Sequence, residues 1–216
     1  MTKFKNVFLL AAMAVSAGFV GCDKENEEGT GDPAGGSFDG VITATVSTGG
    51  VSVDTVKAMA EREIDEFSVE DYAVAIGAYK DGKFTLTFPK TVTASGKIPF
   101  ADEEGVTVNP ETHDCIIINS IYAYSGATKV GEFFYKAEPN TAQTVKIENT
   151  WFTYVDRDVS MTGSHSSTTE NFITTYNASL KAGWNRIYQI TRLGTGEITT
   201  TNTSGLSPEW VFEPTN

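Results

Sequence analysis

The chain has 216 residues, 40% hydrophobic and 20% charged, enough apolar side chain for one all-β domain or two small ones and unlike disordered or collagenous chains. Its formal charge of −12, with no basic patch in the sequence, speaks against nucleic acid and acidic lipid surfaces as electrostatic partners. Twenty-nine Thr, with 13 Phe, 8 Tyr and 3 Trp, favour half-buried strands over helices.

In chain order, Lys3 and Lys5 make a short positive start, Val7 to Val15 is an uncharged apolar run, and Ser16, Ala17, Gly18 and Gly21 are small residues at the expected cleavage point. Crossing a bilayer takes about 20 apolar residues, so residues 1–21 are read as a cleaved secretory signal. Phe19-Val20-Gly21-Cys22 resembles the lipobox of bacterial lipoproteins, with Phe19 where Leu is usual. The resemblance implies that Cys22 is acylated and becomes the first residue, anchoring the chain in the lipid bilayer; several acyl chains together make that anchoring durable. A plain secreted protein with a coincidental Cys is the alternative. Loss of Lys3 and Lys5 leaves 14 cationic against 28 acidic side chains, a net charge of −14.

Residues 22–37, from the acidic run Asp23 to Glu28 through the Gly-rich stretch to Ser37, contain too little apolar area to offset their chain entropy and read as a disordered tether. The acidic run is similar to the signal that exports lipoproteins of Bacteroidetes to the outer face of the outer membrane; a merely solvated charge run is the alternative.

The remainder reads as strands. Phe38 to Val46 alternates and ends at Gly49-Gly50. Val53 to Arg62 fits either a strand or a short helix capped by Ser52, and the strand is preferred. Tyr72–Lys80 and Lys83–Phe88 flank Asp81-Gly82, the signature of a type I′ hairpin turn. Pro89, Pro99 and Pro110 mark a long connection, with a division near residue 105 into an N-terminal part, 38–105, and a C-terminal part, 106–216. Further strands are expected at Cys115–Tyr124, Thr128–Lys136, Thr150–Val155, Val159–Gly163, Phe172–Leu180, Trp184–Thr191, Glu197–Thr203 and Glu209–Phe212. The fold class is therefore all-β, an antiparallel β-sandwich or barrel-like meander.

Gly40 to Val46, Val53 to Ala58, Gly82 to Pro89, Tyr154 to Gly163, Leu180 to Asn185 and Glu209 to Phe212 resemble segments of a group of uncharacterised lipoproteins of Bacteroidetes. The resemblance implies a lipid-anchored β-rich protein and a strand at Val53, and assigns no activity.

Few residues suggest chemistry. Once Cys22 is acylated, Cys115 has no thiol partner; at the head of Cys115-Ile116-Ile117-Ile118 it reads as a buried apolar residue, with a Cys115/His113 nucleophile pair as the sharper alternative. Trp184, Trp210 and Trp151, with Tyr124, Tyr135 or Tyr188, could stack on sugar rings; the plainer reading of Trp184 is core packing. His113 and His165 lack ligand spacing for zinc or haem. Asp156 with Asp158, or Asp102, Glu103 and Glu104, match no calcium-loop pattern. No nucleophile elbow, phosphate loop or metalloprotease motif is present, and no metal or cofactor is implied. The expectation is a non-enzymatic surface protein of the outer membrane with a binding or structural role, a glycan being the candidate ligand. The alternative is an envelope-associated glycan-processing hydrolase.

Overall fold

The computed structural model describes residues 38–215 apart from 66–67, 94–97, 99–102, 112, 138–145, 168–171, 193–194 and 203–207. The signal, the tether and Cys22 lie outside the described residues, as does Asp102. Every regular element among the described residues is a strand, and Pro33–Asn216 forms one compact unit.

Four strands open the first sheet: β1 (Val41–Thr45), β2 (Thr55–Asp65), β3 (Ser68–Lys80) and β4 (Lys83–Thr87). Their alternation sets the buried face: Ile42, Ala44, Phe84 and Leu86 point inward, while Thr43 and Thr85 meet outside through their hydroxyls at 3.3 Å. The Val53 region is a strand because Val56, Ala58 and Ala60 fall on one buried face at period two. The β3–β4 hairpin turns through Asp81 (φ 52°) and Gly82 (φ 77°), the two positive angles that a type I′ turn needs. A Cβ on Gly77 would lie 2.1 Å from the carbonyl oxygen of Thr85, so glycine permits this close strand approach.

The expected single strand Cys115–Tyr124 is two. β6 (Cys115–Ile118) lies in the second sheet and β7 (Ser120–Ser125) in the first; between them the Asn119 N–H donates to the Met59 carbonyl at 2.9 Å as the chain changes sheets. With β8 (Thr128–Lys136) and β14 (Glu209–Pro214), the first sheet runs β1-β4-β3-β2-β7-β8-β14. Strands from both sides of residue 105 thus pair in one sheet, and the division expected there does not separate the sheets.

The second sheet contains β5 (Val106–Asn109), β9 (Lys146–Val155), β10 (Val159–Ser167), β11 (Phe172–Leu180), β12 (Gly183–Arg192) and β13 (Glu197–Thr201), in the order β5-β10-β11-β13-β12-β9-β6. β5 falls in the stretch read as a connection, where flanking prolines masked its short alternation. The meander also has an exception. β11 and β12 diverge from their tight turn, β13 fills the gap, and its pairing with β11 is parallel. The turn is held by Asn185, whose amide accepts from the Lys181 N–H at 2.8 Å and donates to the Lys181 and Gly183 carbonyls.

This sheet curls almost into a barrel around its own core of Val108, Cys115, Val155, Val159, Met161, Tyr176, Leu180 and Ile187. The opposite faces of β6, β9 and β12 pack on the first sheet through Ile116, Ile118, Phe152 and Trp184. There the rings form a continuous chain: Trp184 meets Phe88, Phe88 meets Phe152, Phe152 meets Trp210, Trp210 meets Phe84, and Phe84 meets Phe133, at centroid distances of 4.6, 6.2, 6.3, 5.5 and 4.9 Å.

Candidate functional site

β6 is only four residues long, whereas β9 has ten, so β6 pairs with β9 from Phe152 to Val155 and then departs for the first sheet. Asn149, Thr150 and Trp151 keep β12 on one side and, among the described residues, have no strand on the other. A cleft of ≈ 210 Å³ opens at this place, lined by residues 118–121, 132–136 and 149–152 and by Trp210.

Apolar and polar groups meet in the cleft. Trp210 is partly buried, packs against Tyr135 at 5.0 Å, and lies parallel to Phe152 within 2°. Thr150 shares the β9 face of Phe152, and its buried hydroxyl oxygen has no hydrogen-bond partner among the described residues. Beneath the rings the Arg186 guanidinium sits 5.2 Å from the Tyr135 ring centre and 5.6 Å from that of Phe152, a cation–π arrangement supporting both. Burial pushes the Glu132 carboxyl above the usual carboxylate range; its hydrogen bond with Ser120 and the charge of Lys129 pull the other way, and Glu213, opposite it in register, pushes it further up. The Lys136 ammonium is 2.7 Å from the Glu213 carboxylate.

The three tryptophans are not equivalent. Trp210 and Trp151 both line the cleft, but Trp151 also packs against the core of the curled sheet. Trp184 is 7% exposed, donates its indole N–H to the Pro89 carbonyl at 2.8 Å and packs on Phe88 and Tyr154. It is a core residue away from the cleft. Tyr135 belongs to the site, Tyr188 is buried outside its lining, and Tyr124 lies under Lys57 on the outer face of the first sheet.

The remaining candidates are occupied structurally. In His113, Nε2 accepts from the Ile98 N–H at 3.2 Å and Nδ1 donates to the Pro110 carbonyl at 2.9 Å, so neither nitrogen serves Cys115 as a base. Burial, reinforced by the charge of Asp114, pushes the Cys115 thiol up to about 12. Asp156 is held below the ordinary carboxylate range by Arg157 and the Asp114 N–H, and Asp158 by Lys181 and the Ala182 N–H. Glu103 accepts from the Tyr176 hydroxyl at 3.0 Å, and His165 lies 3.4 Å from the Glu104 carbonyl. Among the described residues no group of three His, Cys, Asp or Glu side chains is placed to hold a metal ion.

No protein-family model, curated protein or solved structure matches the chain. Sequence reasoning missed Thr150, Phe152 and Glu132. Glu132 did carry a signal, being the one acid inside the run Val130-Gly131-Glu132-Phe133-Phe134-Tyr135.

Proposed function

We propose that this chain is a lipid-anchored, non-enzymatic binding protein at the outer face of an outer membrane, and that the cleft between its sheets takes a glycan. The anchor rests on the lipobox-like Phe19-Val20-Gly21-Cys22 and the tether behind it. The glycan rests on one observation: the rings of Trp210, Tyr135 and Phe152 converge with Thr150, Asn149 and Ser120 in a single cleft. Apolar ring faces with a few fixed polar groups suit a sugar, whose faces are apolar and whose edges carry hydroxyls.

A glycan array probed with Pro33–Asn216 is expected to show retained glycans, lost in Trp210→Ala and kept in Trp184→Phe. An array without retained glycans, or retention insensitive to Trp210→Ala, overturns the assignment. Labelled palmitate is expected to enter the parent and not Cys22→Ala; equal labelling removes the anchor. The hydrolase reading draws on the raised Glu132 carboxyl with Glu213 opposite it. Release of new reducing ends from a retained glycan, abolished in Glu132→Gln, would establish that reading instead.

A further inference from the structure

We propose that the open edge of β9 makes the cleft a subsite for a 2-acetamido sugar. The acetamido carbonyl accepts from the Thr150 main-chain N–H, a neighbouring ring hydroxyl donates to the Thr150 carbonyl, and the acetamido methyl lies against Trp210 and Tyr135. The inference deepens, and rests on, the reading of the cleft as a glycan site.

The backbone of β9 carries the argument. Opposite residues of an antiparallel pair alternate between those that exchange N–H···O bonds and those that do not. Just past the Val155–Cys115 pair, the Asp156 N–H donates to the Asp114 carbonyl at 3.0 Å, which puts Asp156 in the bonding set. By alternation Tyr154 and Phe152 belong to the same set, opposite Ile116 and Ile118. The Ile116 carbonyl does point at β9, where it also accepts from the Thr153 hydroxyl at 2.9 Å. Thr150 is next in the series. Its N–H and C=O face the lane that β6 has left, because Ser120, which would stand opposite, is paired with Met59 in the first sheet. Thr150 is partly accessible although its hydroxyl oxygen is buried, Asn149 is exposed, and both line the cleft.

A main-chain donor and acceptor side by side, next to aromatic rings, select the ligand. In a sheet the edge N–H meets an amide carbonyl, and an acetamido group brings one, together with a methyl that suits Trp210 and Tyr135. The charges around the cleft agree with a neutral group: Lys136 is 2.7 Å from Glu213, and the Arg186 guanidinium is held 5.2 and 5.6 Å from the Tyr135 and Phe152 rings. A free amino sugar would add a cation beside Arg186 and Lys136, and its ammonium cannot accept from the Thr150 N–H. The volume of ≈ 210 Å³ is below the ~300–1,000 Å³ of pockets that bury drug-sized ligands, and suits one sugar residue rather than a chain.

The test is NMR on Pro33–Asn216, the compact unit. In the free protein the Thr150 amide proton is expected to exchange rapidly, and those of Phe152 and Tyr154 slowly. The protein is then titrated with the methyl glycosides of glucose, galactose, their 2-acetamido-2-deoxy counterparts and glucosamine, and with N-acetylalanine methylamide as a peptide-strand probe. At least one acetamido glycoside is expected to shift the Trp210 indole N–H and the Thr150 amide saturably, to slow exchange at Thr150, and to bind at least about tenfold more tightly than the other probes. A Thr150 amide already as protected as that of Phe152, an acetamido glycoside that leaves it unmoved, hexosides or the aminoglycoside bound as well, or no acetamido glycoside bound overturns the subsite. Tighter binding of the peptide probe also overturns it and assigns the edge to an added strand. If Trp210→Ala still removes array binding in those cases, the broader glycan reading survives; if array binding is absent or insensitive to Trp210→Ala, both fail.

Discussion

The two cores of this protein differ in how many aromatic rings they hold. Inside the curled sheet, Val108, Val155, Val159, Met161, Leu180 and Ile187 fill a space closed by strands, with the inert Cys115 among them. Between the sheets, aliphatic residues such as Ile42, Leu86, Ile116 and Ile118 are joined by a continuous chain of rings from Trp184 through Phe152 to Phe133. Aliphatic branches pack well around a tight closed curve, whereas large flat rings span the distance between two sheets and leave gaps where a neighbouring strand stops. The gap is where β6 ends, and Phe152 and Trp210 border it. The curled sheet thus encloses its own interior, and the incomplete coverage of β9 leaves the cleft.

The sharpest way to break this comparison is to damage each core separately. Phe152→Ala and Leu180→Ala are each expected to lower unfolding stability in urea by about 3–5 and 2–5 kcal/mol respectively. Only the first should also remove glycan retention at temperatures where both variants remain folded. Equal loss of binding in both would mean that the cleft depends on general stability and that the two cores act as one.

Cys115 sharpens the description of the closed core. With its thiol pushed up from 9.0 to about 12, the thiolate fraction at pH 8 is about 10³-fold lower than for an ordinary cysteine. Alkylation by iodoacetamide at pH 8 is expected to be negligible in the folded protein and complete in urea. Rapid labelling of the folded chain would show that the curled sheet opens readily.

The smallest expected effect concerns Glu132 at the border of the open core. Its carboxyl is raised in the folded state, so the folded chain holds the extra proton more tightly than the unfolded chain does. Stability should consequently fall as pH rises from the ordinary carboxylate range, near ~4.3, through the raised folded value, and then level off. Glu132→Gln should lose that decline and gain slightly in urea stability at neutral pH. An identical pH profile in parent and variant would place the carboxyl in ordinary solvent.

Much of the local structure was legible because strand alternation and turn chemistry act over a few residues. Asp81-Gly82 announced its hairpin, and Val56, Ala58 and Ala60 announced a buried strand face. Where pattern reading failed, a distant partner decided the outcome. Only the pair Asn119-Ser120 interrupts the apolar run from Cys115 to Tyr124, yet the chain switches sheets there, and β5 pairs with β10 despite the prolines around it. Core packing was the plainer reading of Trp184 from sequence and is what the structure has, whereas only packing placed Trp210 and Trp151 at the cleft.

By itself, then, the order of amino acids determined an all-β chain and the places of most strands, since period-two burial and positive-φ turns are properties of short segments. Tertiary structure alone decided that β13 inserts between β11 and β12, that the second sheet curls almost into a barrel around its own core, and that Thr150, Phe152 and Trp210 line one cleft. Those outcomes depend on contacts between residues dozens of positions apart, where burial, ring geometry and the length of a neighbouring strand select among arrangements that local patterning leaves equal.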